Sequence, residues 1–236
     1  MHYPKDSDPP HSPFDPNYLI IEKLITSRQE DDGSKSYLTK WCNLDYQNLT
    51  WEPESSIPQN IISDFHKTNQ IPDFNEQFSK RKFDYTTWKP LEVPNFTPKK
   101  HQIEGLKFIT HSFCNEQNVI LGDDHGLGSS IQCSMFLKWL TSNESNQGPF
   151  LIIATDERIK EWKKSLDMLH VSPVLTFLKP KIQRDTIADY ELFYPGTNLA
   201  KPNIILSNFA IQVHDKILSE VNWQSIFLDI SHFKDN

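Results

Sequence analysis

"GDDHGLGSSIQ", residues 122–132, is the stretch on which the reading of this chain turns. It follows an apolar run, "NVIL" at 118–121, and it leads into a helical pattern. Glycine is scarce, 7 in 236 residues, yet Gly122, Gly126 and Gly128 fall together here. Such crowding points to a backbone that turns sharply and approaches something closely. Downstream, "SSIQCSMFLKWL" puts Ile131, Met135, Trp139 and Leu140 on one face of a helix whose first N–H groups point into the loop. A strand, a glycine loop and a helix N-terminus form an anion cradle, because unpaired N–H donors and the helix dipole both favour phosphate. The same residues also suit a tight strand-to-helix turn that binds nothing.

Outward from the loop, short apolar runs recur as "NVIL" (118–121), "FLII" (150–153), "PVLTF" (173–177), "NIIL" (203–206) and "SIFLD" (225–229). Helix-length stretches separate them. Runs buried on both faces and alternating with helices predict a parallel sheet in an α/β domain, here with five strands. The last run ends in Asp229, where a nucleotide-binding α/β domain places the carboxylate that holds Mg2+.

The N-terminal part has another rhythm. Residues 1–16 carry five of the sixteen prolines and almost no aliphatics, so they are expected to form a disordered tail. "YLIIEKLITSR" (18–28), "KSYLTKWC" (35–42) and "LTWEP" (49–53) read as strands, with turn chemistry at "DDGS" (31–34). Pro58 then opens a helix whose inner face carries Ile61, Ile62, Phe65 and Thr68. The expected organisation is a tail at 1–16, a small β+α module at 17–71, a proline-bearing linker at 72–98 and an α/β lobe at 99–236.

Composition fits this plan. The chain is 37% hydrophobic and 12% aromatic, a globular balance, and no apolar run approaches the roughly 20 residues that cross a bilayer. The N-terminus has no signal-peptide core, so no membrane partner and a cytosolic or nuclear location are expected. Cys42, Cys114 and Cys133 lie far apart, which argues against a disulfide framework or a structural zinc site. A net charge of −7 leaves nucleic-acid contact to local clusters such as "KRK" at 80–82 or Lys99-Lys100, and short basic runs of this kind are also ordinary solvated surface.

Four motifs then carry a resemblance. "YLTKWCNLDYQNLTWEP" (37–53), "HQIEGLKFITHSFC" (101–114), "GDDHGLGSSIQ" (122–132) with "GPFLII…EW" (148–162), and "LDISHFKDN" (228–236) follow one another in the order and spacing of one family. The chain resembles the chromodomain-helicase-DNA-binding family of Snf2-type, ATP-dependent chromatin remodellers, from the second chromodomain into the first motor lobe. The resemblance implies a chromodomain-like three-stranded antiparallel sheet with a C-terminal helix, followed by an incomplete RecA-like parallel-sheet lobe. It implies ATP and Mg2+ as cofactors, weakly bound or absent here, with Gln102 on the adenine side. Gly126, Leu127, Gly128, Ser129 and Ser130 would lie around the phosphates, and Ser130 and Asp229 would face Mg2+. Partners implied are the nucleosome, through histone tails or DNA, or other chromatin proteins, in the nucleus.

Departures from the family pattern matter as much. Ser129 stands where the loop lysine reaches the β- and γ-phosphates, and Ile230 stands where a glutamate positions the attacking water. Two complementary electrostatic groups are missing together, which predicts a protein that binds and does not turn over ATP. The chain ends at Asn236, shortly after Asp229, so the remainder of the motor is expected to be lacking and a sheet edge to be left open for association. The alternative is an ATP-binding, DNA-dependent ATPase subunit or a fragment of an active remodeller. In the small module the methyl-lysine cage candidates are Trp41, Tyr18 and Leu44, an incomplete set because Leu44 is not aromatic; Trp41 reads equally well as core. Trp51 is expected to close the core, and Glu52 and Glu54 are either acidic surface for a basic segment or simply solvated.

Overall fold

In the first strand Leu24 and Ile25 are buried, and a turn rich in Asp and Gly follows it, so the chain folds back as a hairpin. The computed structural model describes residues 20–71, 89, 92–94, 96–124, 126–143, 148–178, 180–214 and 216–231. The tail at 1–16, Tyr18 and most of the 72–98 linker therefore lie outside the described residues. Two compact units divide between Asn69 and Gln70.

The first unit is the three-stranded antiparallel sheet with a helix that the sequence implies. Strands β1 (Ile21–Gln29), β2 (Lys35–Trp41) and β3 (Thr50–Pro53) lie in the order β1-β2-β3, and helix α1 (Gln59–Thr68) follows. The β1–β2 turn closes because the Asp32 carboxylate accepts from the Ser34 N–H at 2.9 Å and from its hydroxyl at 2.6 Å, while Gly33 takes φ +84°. Leu24, Tyr37, Ile57 and Ile62 form the core, with Ile61 and Phe65 against it and Thr68 exposed. Trp51 is not part of this core. The register pairs it with Leu38, one residue from Tyr37 and so on the opposite face, where Trp51 is half-buried under the Arg28 guanidinium, 4.1 Å from the ring centroid.

The second unit is a parallel α/β lobe. Its elements are α2 (Lys100–Cys114), α3 (Ser129–Asn143), β4 (Phe150–Ala154), α4 (Asp156–Met168), β5 (Val174–Phe177), α5 (Lys181–Tyr190), β6 (Ile204–Asn208), α6 (Phe209–His214) and β7 (Ser225–Leu228). The sheet order is β5-β6-β4-β7 with every pairing parallel. β4 and β6 are buried at every residue, as central parallel strands require. Phe150, Ile152 and Ala154 of β4 meet Phe136, Leu140, Ile159, Trp162 and Leu166 from α3 and α4 in one core.

Two expectations are corrected. The run at 118–121 is not a strand: Ile120 is 91% exposed, and only Leu121 packs against the core. Apolar side chains alone do not make a strand; a ladder partner is needed, and the four strands of the described sheet pair without this segment. Helix α3 is also buried more widely than the one predicted face, since Phe136 and Leu137 are as covered as Met135, Trp139 and Leu140. At the edge, β7 turns Phe227 inward while Ile226 and Leu228 face solvent.

The entry to β4 fixes a glycine. Gly148 takes φ +90°, and a Cβ there would lie 2.5 Å from the Asn203 carbonyl oxygen, which itself accepts from the Phe150 N–H at 2.8 Å. Gly148→Ala should therefore cost about 1–3 kcal/mol of stability through backbone strain alone, with the clash adding to it, read as a lower urea midpoint at unchanged m-value.

Candidate functional site

The glycine loop folds as its composition demands. Gly126 and Gly128 adopt φ +83° and +87°, a region closed to most side chains. At Gly128 a Cβ would also stand 2.7 Å from Gln102 Nε2. The loop closes by a Leu127 N–H to Asp124 carbonyl bond of 3.3 Å, and the Gln132 N–H returns to the Gly128 carbonyl at 3.0 Å to start α3. A cleft of about 280 Å³ lies here, lined among others by Gly126, Gly128, Ser129, Ser130, Arg158 and Lys164.

Gln102 is buried, and its amide is engaged at both ends. Its oxygen accepts from the Lys99 N–H at 2.9 Å, and its Nε2 donates to the Leu127 carbonyl at 3.3 Å. It braces the loop from α2. Leu127 is 39% exposed and Ser129 half-buried, whereas Ser130 is buried within the first turn of α3. Ile230 is 65% exposed and presents only hydrocarbon beside Asp229.

Asp229 is the centre of the site. Its Oδ2 accepts from Arg158 Nε at 2.9 Å and Trp162 Nε1 at 2.8 Å; its Oδ1 accepts from the Ser231 hydroxyl at 2.6 Å and N–H at 3.2 Å. Arg158 Nη2 donates to Ser130 Oγ at 2.6 Å, and Nη1 pairs with Glu161. Burial by itself would push the Asp229 carboxyl up, but the hydrogen bonds from Ser231, Trp162 and Arg158 outweigh it and hold the group below the ordinary carboxylate range. Nearby, burial together with the charges of Asp229 and Asp123 pushes the Cys133 thiol up to about 12, so no thiolate contributes at neutral pH.

Arg158 was not singled out in the sequence, and Trp162 and Ser231 entered only as members of the motifs ending at 162 and 236, with no role assigned. Arg158 and Trp162 stand at i and i+4 on α4, which places both on the face turned to Asp229. That spacing was the available signal, but nothing local says what the face meets.

In the first unit, Trp41 is 9% exposed and its indole N–H donates to Thr50 Oγ1 at 2.9 Å; Thr50 in turn donates to Glu52 at 2.6 Å. Leu44 is half-buried, and its N–H lies 3.4 Å from the Trp41 carbonyl oxygen. Trp41 is thus a packed, hydrogen-bonded residue. Tyr46 is approached by two of the protein's own ammonium groups, Lys23 at 5.6 Å and Lys40 at 5.7 Å from the ring centroid. Glu54 is not merely solvated either, since it accepts from the Tyr37 hydroxyl at 3.3 Å.

Comparison with known proteins bears directly on this geometry. The SNF2-related domain model matches residues 101–234, more than half of the chain. The chain belongs to the SNF2-related family. The Chromo (CHRromatin Organisation MOdifier) domain model matches residues 19–68. Similar proteins include mouse Chromodomain-helicase-DNA-binding protein 6, 25% identical over 96% of this chain and 9% of the relative, and human Chromodomain-helicase-DNA-binding protein 8, 26% identical over 93% and 9%. Another is the Arabidopsis thaliana CHD3-type chromatin-remodeling factor CHR7, 30% identical over 92% of this chain and 18% of the relative. The chain thus spans between 9% and 18% of the length of these relatives. Among solved structures, the Sulfolobus solfataricus SWI2/SNF2 ATPase core in complex with dsDNA aligns with a TM-score of 0.48 and 21% identity over 60% of this chain and 28% of that one. The SNF2-related match ends just past Asp229, so it contains both the loop and the carboxylate.

The pair at the centre of this SNF2-related lobe is buried, with side-chain exposures of 10% for Arg158 and 7% for Asp229. Asp229→Ala should destabilise the fold by up to about 3–5 kcal/mol, because it leaves a buried guanidinium with only the more exposed Glu161 as counter-charge. Ionised Asp229 stabilises the fold above the unfolded carboxyl's range, and that contribution disappears as the pH falls through the depressed folded value. Urea unfolding of wild type and Asp229→Asn should therefore show a gap that is full at neutral pH and closes in strong acid.

Proposed function

We propose that this protein is a chromatin-bound relative of the remodellers that acts by binding, without turning over ATP. The observation that carries the reading is the pair of substitutions at the site: a neutral hydroxyl, Ser129, in the first turn of α3, and a solvent-facing aliphatic side chain, Ile230, directly after Asp229. A preorganised charge or water-orienting group contributes about 10²- to 10³-fold in rate, and neither residue can supply one. ATP and Mg2+ belong to the family's chemistry, and any nucleotide held here would rest on backbone N–H groups of the loop.

The partners proposed are nucleosomal, histone tails or DNA, or other chromatin proteins, with the nucleus as the compartment. The first unit is proposed to bind without depending on lysine methylation, which the buried, hydrogen-bonded Trp41 and the self-occupied Tyr46 support. The open face of β7, with Ile226 and Leu228, supports association with another chain. The alternative, an ATP-binding, DNA-dependent ATPase subunit or a fragment of an active remodeller, draws on Lys164, which lines the cleft; Ile230 counts against it.

Phosphate release from ATP, with and without DNA, should be indistinguishable from a mock preparation. Release above the mock that disappears in Asp229→Ala would favour the ATPase reading instead. Histone-tail peptides with and without trimethyl-lysine should bind within about two-fold of each other, whereas a desolvated cage worth about 2 kcal/mol would separate them about thirty-fold.

A further inference from the structure

The family's cofactor sets a test that the residues of this lobe do not pass. Mg2+ needs near-octahedral oxygen ligation at about 2.0–2.1 Å, and the two protein donors that the family pattern assigns to it are Ser130 Oγ and the Asp229 carboxylate. A carboxylate has about four lone-pair sites, and those of Asp229 already receive four donors from Arg158, Trp162 and Ser231. Ser130 Oγ accepts from the same guanidinium that pairs with Asp229. Mg2+ does not fit between them while Arg158 is there.

We propose that Arg158 is a resident replacement for the divalent cation: its guanidinium spans Ser130 and Asp229 and excludes Mg2+ from the SNF2-related lobe. All three guanidinium nitrogens are used, Nε on Asp229, Nη2 on Ser130 and Nη1 on Glu161, so the group is held in one orientation. It reaches the site from α4, while Ser130 stands on α3 and Asp229 follows β7. A dication entering would have to displace a buried guanidinium that is bonded through all three nitrogens, or sit against its charge. The inference deepens the inactive reading of the same site but can stand or fall apart from it, because it concerns cation uptake and not phosphate release.

Mn2+, followed by loss of the free-ion EPR signal on the full chain, tests it. Wild type, without nucleotide, should leave the signal unchanged at the Asp229 site. Arg158→Gln, which keeps a hydrogen-bonding amide but removes the charge, should take up one Mn2+ per chain, displaced by Mg2+ and lost again in Arg158→Gln/Asp229→Asn. Arg158→Lys retains a cation and should take up none. One Mn2+ bound by wild type, displaced by Mg2+ and absent from Asp229→Asn, overturns the proposal outright. So does a folded Arg158→Gln that gains no site, or an Arg158→Lys that does. If circular dichroism shows Arg158→Gln unfolded, the wild-type and Arg158→Lys titrations decide alone.

Discussion

The Arg158–Asp229 pair is the constraint on which the second unit's site depends. It is buried, its members lie 71 residues apart in the chain, and three elements converge on it. A buried ion pair is weak evidence for net stability, because desolvation offsets most of the attraction. What it provides here is position. Every lone pair of the carboxylate and every nitrogen of the guanidinium is assigned, so α3, α4 and the end of β7 have one arrangement that satisfies them together. The glycine loop is braced separately, from α2 through Gln102. A loop held by the protein's own amide and its own cation is shaped whether or not a nucleotide is present.

The first unit shows the same economy of internal partners. Trp41 gives its indole proton to Thr50, the Tyr46 hydroxyl accepts from Lys23 at 3.1 Å while Lys40 lies 5.7 Å from its ring centroid, and Trp51 carries the Arg28 guanidinium on its ring. Cation–π contacts at such half-exposed positions are worth only about 0.5–1 kcal/mol each, so they tune the surface and do not carry the fold, which rests on Leu24, Tyr37, Ile57 and Ile62.

Much of this was legible in the sequence. The three strands and helix of the small unit follow from alternation, turn residues and Pro58. Four of the five apolar runs in the second half are strands, and the loop opens into α3 at Ser129. The failures have a common cause. Periodicity reports what a side chain prefers, not which partner it finds, so "NVIL" read as a strand although no ladder receives it, and Trp51 read as core although the register puts it opposite Leu38. Arg158 was missed for the same reason. An arginine on an amphipathic helix is ordinarily solvated, and only the fold brings it to Asp229.

The bare outer face of β7 sets how the lobe loosens. Leu151 and Ile153 of β4 are covered, but the residues beside them in register, Ile226 and Leu228, are not, so the sheet is sandwiched at its centre and backed on one side only at this edge. Local opening is cheapest where fewest apolar contacts are broken, so amide exchange should be fastest at β7 and slowest in β4 and β6. Asp229 leaves with β7 whenever that edge frays. Edge and charge pair are thus coupled: the Asp229 N–H continues the ladder onto the Ile153 carbonyl at 2.9 Å, so the strand cannot open past it without breaking the pair.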